Sequence, residues 1–304
     1  MKGGLVATAA VALALAALAA WNDPFQPEAD TAPPPAQFDG FGRLVAYAGK
    51  EAAACPPQDA RTAVILAIGQ SNVANFGAAR LAGAHGARVV NFFDGSCWIA
   101  RSPLYGADQT FGEPLTPLGD GLIDNGAADR VVLAVAAIGG RSIGYFASGP
   151  LRPMLDATIA SLARRYKPTA IIWHQGESDL ALATSAQDYK RDFDTVAARL
   201  RAQWPDTPIL VSVATKCLPM FPGWRADNAI AQAQRELVDP ARRILAGVDT
   251  DALFGDADRS DACHMSKSGQ ENFAAAYAAL IAKVAAASGQ TSSEPFRASA
   301  APAR

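Results

Sequence analysis

Between residues 62 and 287 the chain alternates short unbroken apolar runs with stretches whose apolar residues recur every three or four positions. The runs TAVILAI (62–68), ARVVNFF (87–93), RVVLAVAAI (130–138), TAIIWHQ (169–175), PILVSVAT (208–215) and RILAGVD (243–249) predict strands. Continuous rather than alternating hydrophobicity marks strands covered on both faces, as in a parallel sheet. The segments between them predict helices over 154–166, 186–204, 225–238 and 268–287. In the second of these helices Tyr189, Phe193, Val196, Leu200 and Trp204 fall at three- or four-residue steps and give one apolar face. Strand and helix in alternation imply right-handed βαβ crossovers and a three-layer α/β/α sandwich. In such a sheet the ligand crevice lies beyond the carboxyl ends of the strands.

The flanks read differently. Lys2, an Ala/Leu/Val run and Ala17-x-Ala19 have the layout of a secretory signal peptide over residues 1–20. The run is short of the roughly 20 residues that span a bilayer. Export to a secreted or periplasmic location is therefore expected over a retained N-terminal membrane anchor, with no stable membrane partner after cleavage. Residues 21–60 read as a Pro-rich tether and lead-in, 61–287 as the folded domain, and 288–304 as a small, polar tail expected to be disordered. Half of the 304 residues are apolar and 18% are charged, enough for a sizeable core. A formal net charge of −2 without a basic stripe argues against nucleic acid as the partner. The four cysteines, Cys55, Cys97, Cys217 and Cys263, lack Cys-x-x-Cys spacing, and export makes them disulfide candidates with three possible connectivities.

Polar clusters interrupt the pattern at four places: GQSN (69–72), GGRSIGYF (139–146), WHQGESD (173–179) and DACHMSKSG (261–269). A serine hydroxyl is no nucleophile at neutral pH without a base in hydrogen-bond reach, and the chain has three histidines. His85 lies in a Gly/Ala-rich turn, and His174 sits at an apolar strand exit beside Trp173, as a buried supporting residue would. His264 follows Asp261 by three residues, a spacing that lets a carboxylate accept from the ring N–H and fix the tautomer. A tetrahedral intermediate also needs N–H donors aimed at its oxygen. Gly139 and Gly140, the Gln175 amide and the Ser71 backbone are the candidates. His174 and Glu177 form a His-x-x-Glu pair, but no second histidine pair or cysteine cluster accompanies them, so no metal and no cofactor is expected.

In their order along the chain GQSN, IGGRSI, WHQGESD and DACH followed by Ser-x-x-Gly resemble the SGNH hydrolase superfamily, and within it the sialate O-acetylesterase-like carbohydrate esterases. The resemblance spans roughly residues 60–287 and implies a flavodoxin-like parallel sheet. It also implies a Ser71 nucleophile, a His264 base oriented by Asp261, and an oxyanion site from Ser71, a glycine of the second block and Gln175. Gly140 is favoured over Gly139 as the donating glycine. Asn72, Arg141, His174 and Glu177 are then substrate-binding or supporting residues. The expected activity is that of a carboxylic ester hydrolase removing short acyl groups, acetyl foremost, from a carbohydrate. A lipid esterase or thioesterase on the same triad, and a catalytically silent carbohydrate-binding protein, are the alternatives. Cys217 follows the fifth of the six strands and Cys263 adjoins His264, so a Cys217–Cys263 bridge anchoring the Asp261–His264 loop is expected, leaving Cys55 and Cys97 as the other pair.

Overall fold

The computed structural model describes residues 36–287. The segments read as signal peptide (1–20), the first part of the tether (21–35) and the tail (288–304) lie outside the described residues. Ten strands are described: β1 Gln37–Phe38, β2 Leu44–Ala46, β3 Ala52–Ala53, β4 Thr62–Gly69, β5 Val89–Phe93, β6 Ser96–Ile99, β7 Arg130–Ala137, β8 Ala170–His174, β9 Ile209–Val213 and β10 Ile244–Asp249. The helices are α1 Leu115–Asp124, α2 Ile143–Ala147, α3 Arg152–Ala163, α4 Glu177–Ala181, α5 Ala186–Gln203, α6 Ala229–Glu236, α7 Thr250–Leu253 and α8 Lys267–Ala287. Among the described residues no helix is long and apolar enough to cross a membrane.

Eight strands form one sheet in the order β10-β9-β8-β4-β7-β5-β6-β3. The six strands from β10 to β5 are mutually parallel. All eight residues of β4 are buried, and successive side chains feed two cores. Val64, Leu66 and Ile68 pack with Phe146, Met154, Phe193 and Ile230 of α2, α3, α5 and α6. Ala63, Ile65 and Ala67 pack with Leu118 of α1 and with Phe273 and Tyr277 of α8. Two apolar faces on one strand are why its hydrophobicity is unbroken, and they make the molecule a three-layer α/β/α sandwich. Each fully buried Val, Leu or Ile contributes roughly 1.5–3 kcal/mol. Trp173 is wholly buried, edge-on to Phe146 and Phe193 at 5.9 and 5.7 Å between centroids, so Trp173→Ala is the single change expected to damage this core most, by about 3–5 kcal/mol.

The sheet departs from an all-parallel one at a single edge. β6 pairs antiparallel with β5, and β3 pairs antiparallel with β6. β3 comes from the segment read as tether and lead-in, whose residues from 36 onward belong to the body of the fold. Leu44 N–H donates to Ala107 O at 2.7 Å, Tyr166 Oη donates to Pro56 O at 2.7 Å, and Cys55 is bridged to Cys97 of β6. Two-residue strands are too short to leave a hydrophobic period, so only the prolines and charges of this region register in the sequence. Helix α1 went unread for a related reason: the LTPLGDGLID segment carries a proline and two glycines, which mask its apolar face. The sheet order reverses at β4, with β7, β5 and β6 to one side and β8, β9 and β10 to the other, which places the crevice at the carboxyl end of β4.

Candidate active site

Ser71 opens a short 3-10 turn, Ser71–Val73, directly after β4 and is 4% exposed. Its backbone N–H has no protein acceptor among the described residues. Asn72, also buried, reaches across the crevice. Its Oδ1 accepts from Met265 N–H at 3.2 Å, and its Nδ2 donates to Cys263 O at 3.3 Å and to Glu177 Oε1 at 2.9 Å. Cys263 and Met265 flank His264, so one side chain fastens the serine turn to both neighbours of the histidine.

His264 Nδ1 lies 2.7 Å from Asp261 Oδ2. Asp261 Oδ1 accepts the backbone N–H of Cys263 at 3.0 Å and of His264 at 2.6 Å. Partial burial works against ionisation of Asp261, but the hydrogen bonds from His264 and Cys263 outweigh it and hold the carboxyl below its usual range. The opposite face of the loop is covered by Phe76, stacked on the His264 ring at 5.1 Å and 21°. No hydrogen bond joins Ser71 Oγ to His264. Apo geometry at such sites is often loose and tightens with substrate.

Three further ties hold the histidine loop to the exit of β9. Cys217 and Cys263 form a disulfide with a Cα–Cα distance of 4.1 Å. Leu218 N–H donates to Ala262 O at 3.2 Å. Arg259 is 7% exposed and donates to Lys216 O at 3.0 Å, Cys263 O at 2.8 Å and Thr250 O at 3.3 Å.

The other wall of the crevice follows β7 and β8. Both oxygens of Asp108 accept the Gly139 N–H, each at 3.0 Å. A Cβ on Gly139 would stand 2.4 Å from Phe76 Cζ, so glycine is required there for the ring to lie between this block and His264. Gly140 adopts φ +67° with nothing within 4 Å of its Cβ position, and its N–H has no protein acceptor among the described residues. Burial pushes the Asp108 carboxyl up to about 6, against the pull of the Gly139 N–H and the Arg141 charge. Arg141 is exposed, its guanidinium 5.3 Å from the centroid of Tyr145.

Gln175 is fully buried behind this block. Its Nε2 lies within donating distance of Gln70 Oε1 (3.2 Å), Arg141 O (3.1 Å) and Asp179 Oδ2 (2.5 Å). Two N–H bonds facing three protein acceptors differ from the free donor that the resemblance implies. In this arrangement the amide clamps the Arg141 carbonyl, and through it the glycine block, to β8. Asp179 completes the clamp by accepting from Ile143 N–H at 2.8 Å.

Glu177 and His174 lie beneath the crevice. Burial raises the Glu177 carboxyl to about 7, with Asn72 as the partner of one oxygen. Burial, with a smaller effect of Arg259, lowers His174 to about 3. His174 Nδ1 is 2.9 Å from Ser212 Oγ, which is 2.5 Å from Tyr277 Oη, so this histidine is a neutral member of a core network. Among the described residues no group of three or more His, Cys, Asp and Glu could hold a metal ion.

The fold thus brings Asp261, His264, Asn72 and Glu177 into direct or shared contact beside Ser71, and joins Gln175 to the Gly140–Arg141 block. His174 stands apart from them. Three residues of the site escaped the sequence reading. Phe76 lies four residues past the second half of GQSN, Asp108 in an unpatterned loop, and Arg259 two residues before Asp261. Nothing local in the sequence marks any of the three, although Arg259 stands just ahead of the DACHMSKSG block.

The family model for carbohydrate esterase, sialic acid-specific acetylesterase matches residues 61–283. No curated protein matches the chain. Among solved structures, a protein from Arabidopsis thaliana is similar over 75% of this chain and 99% of its own, with 19% identity and a TM-score of 0.59. NanS is similar over 76% of this chain and 99% of its own, with 15% identity and a TM-score of 0.52. A carbohydrate acetylesterase from Xanthomonas citri is similar over 75% of this chain and 56% of its own, with 15% identity and a TM-score of 0.50. At these identities the structural likeness speaks to the shared fold.

Proposed function

Because the chain belongs to the carbohydrate esterase, sialic acid-specific acetylesterase family and is thereby a carboxylic ester hydrolase, we propose that it removes acetyl groups from a carbohydrate through a Ser71–His264–Asp261 triad. The observation that carries this reading is the 2.7 Å His264–Asp261 contact, on a loop that Asn72 fastens to the Ser71 turn.

Ser71 Oγ attacks the ester carbonyl while His264 Nε2 takes its proton. Asp261 holds Nδ1–H and stabilises the imidazolium that forms. The carbonyl oxygen becomes an oxyanion facing the unengaged N–H groups of Ser71 and Gly140. Collapse breaks the C–O bond, and the departing sugar oxygen receives the proton from His264. Water then attacks the acetyl-serine and gives a proton to the same nitrogen; collapse breaks the bond to Ser71 Oγ, which takes that proton from His264, and acetate leaves. Gln175 supports the oxyanion site by holding the Arg141 carbonyl. The protein's place of action is outside the cytoplasm: the N-terminal Lys2-then-apolar layout and the Cys55–Cys97 and Cys217–Cys263 bridges both support an oxidising compartment.

A panel of acetylated saccharides, with a matched series of longer acyl esters, tests the reading by released acid. Acetate release from saccharides that exceeds release of longer acids supports it. Preference for long acyl chains would make the enzyme a lipid esterase, and no turnover of any ester would leave a binding protein on this fold.

A further inference from the structure

Away from the crevice, a cleft of about 260 Å³ opens between the lead-in and the loops that precede α1. Tyr47, Lys50, Arg80, Leu81, Arg101 and Ser102 line it. Three of these are cations, and no carboxylate is among the lining residues. None of the three makes an ion pair among the described residues.

Each cation is held in place by neutral groups. Lys50 is half-buried, donates to Arg101 O at 2.7 Å and Pro103 O at 2.9 Å, and stands 5.4 Å from the Tyr105 ring centroid. Arg80 donates through Nε to Thr110 O at 2.8 Å and lies 5.8 Å from the Tyr47 centroid, leaving both Nη groups unbonded. Arg101 uses one Nη toward Gly49 O at 3.4 Å. Carbonyls and rings thus fix the three charges without neutralising them, and donors remain on each.

The nearest buried acid, Glu113, does not fill the role. It sits behind Ser102, accepting from Ser102 Oγ at 2.9 Å and from Leu115 and Thr116, and burial raises its carboxyl. Burial also lowers Lys50 to about 8, with Glu113 opposing and Arg101 adding to the fall. An anion in the cleft would reverse that penalty.

We propose that the Lys50–Arg80–Arg101 cleft is a binding site for a phosphate-class dianion, either free phosphate or a phosphate monoester. Two charges suit it better than one, since a monoanion would leave two of the three cations unanswered, and guanidinium forks match tetrahedral oxyanions. The site adjoins the crevice through one short segment. Phe76 stacks on His264, Ala78 N–H donates to Met265 O at 2.9 Å, and Arg80 follows two residues later. Four extended residues span at most about 14 Å, which keeps Arg80 near Phe76, while Ser71, Asp261 and His264 are not among the residues that line the cleft.

Calorimetric titration of the full chain with inorganic phosphate, glucose 6-phosphate and acetate tests this, with the exposed pair changed together in Arg80→Gln/Arg101→Gln. Saturable phosphate binding is expected that weakens with added salt. It should fall about tenfold or more in the double variant, equivalent to about 1.4 kcal/mol, while turnover of a neutral acetyl ester stays within about twofold. Tighter binding of the monoester would assign the site to phosphorylated ligands, and tighter binding of inorganic phosphate to the free ion; both support the site. No saturable binding, binding unchanged in a folded double variant, or acetate binding as tightly as phosphate would overturn it. The readout is independent of the esterase reading, which can fail without affecting it.

Discussion

The two walls of the crevice are built in different ways. The glycine wall, proposed to hold the oxyanion, grows out of the central strands β7 and β8: Gly140 lies three residues past β7 and Gln175 directly follows β8. It is fixed by partly buried hydrogen bonds of ordinary length, with Asp108 on Gly139 at 3.0 Å and Gln175 on Arg141 at 3.1 Å. The histidine wall comes from residues 258–266, beyond the edge strand β10 and the short helix α7, where no sheet positions it. Its geometry is imposed by links to parts of the chain outside it: the Cys217 disulfide, the Asn72 amide, and the Arg259 guanidinium reaching out to the Lys216 and Thr250 carbonyls. The sheet-borne wall is expected to be rigid by construction, whereas the loop-borne wall depends on a few ties that can be cut singly.

Cutting the contact inside the loop wall has the largest expected consequence after loss of the nucleophile. Asp261→Asn keeps the shape but presents an amide to His264 Nδ1, favouring the wrong tautomer. The expected loss in kcat is on the order of 10⁴-fold with the fold retained, checked by steady-state kinetics alongside circular dichroism. A loss under tenfold would mean that another group orients the histidine.

Gly139→Ala perturbs both walls at once, because the new methyl meets Phe76 at 2.4 Å and Phe76 is the surface on which His264 rests. A fall of about 10²-fold in kcat is expected, in the range of losing one oxyanion donor, with a smaller change in KM. The second substitution Phe76→Leu should recover part of it by making room. Failure to recover would locate the damage in the Gly139–Asp108 contact instead.

These two cases show what was legible in the sequence. The strands β4, β7 and β8 and the residues at their ends could be read because a continuous apolar run announces a buried strand and an abrupt polar cluster announces its exit. The same signal marks Ser71, Gly140 and Gln175 as candidates. Asp261 and His264 were legible from their spacing alone. The ties were not. Asn72 bonds to residues 191 and 193 positions away, and nothing local marks such a partner. Asp108 and Phe76 sit in loops without period. The Cys217–Cys263 pairing is legible from the position of its two ends on the sheet, whereas the β3 and β6 edge and helix α1 are too short or too broken to show a period.

A third, smaller effect separates the walls by redox chemistry. Replacing Cys217 and Cys263 together by serine removes a bridge expected to stabilise by about 2–4 kcal/mol. Activity should fall at temperatures where the protein is still folded, because the bridge holds the histidine loop to the exit of β9. If activity and ellipticity are lost together on heating, the loop is not the weaker wall.

The smallest expected effect lies beneath the crevice. Glu177 is raised to about 7 by burial, so the folded state holds its proton more tightly than the unfolded chain does. For an acid raised in this way stability is greatest below the unfolded value and declines as pH rises from about 4 to about 7, by an amount on the order of 1–3 kcal/mol. Glu177→Gln keeps an acceptor for Asn72 without the charge. The variant should flatten that decline, measured as the urea midpoint at pH 5 and pH 8. An unchanged pH dependence would show that Glu177 stays ionised in the fold.

The central claim is that Ser71 carries the acyl group, and covalent capture tests it most directly. An organophosphonate that mimics the tetrahedral intermediate, followed by peptide mass mapping, should place one adduct on the peptide bearing Ser71. Ser71→Ala should lose the adduct, and with it turnover by on the order of 10⁶-fold. An adduct on another residue, or full labelling and turnover in Ser71→Ala, would contradict the account.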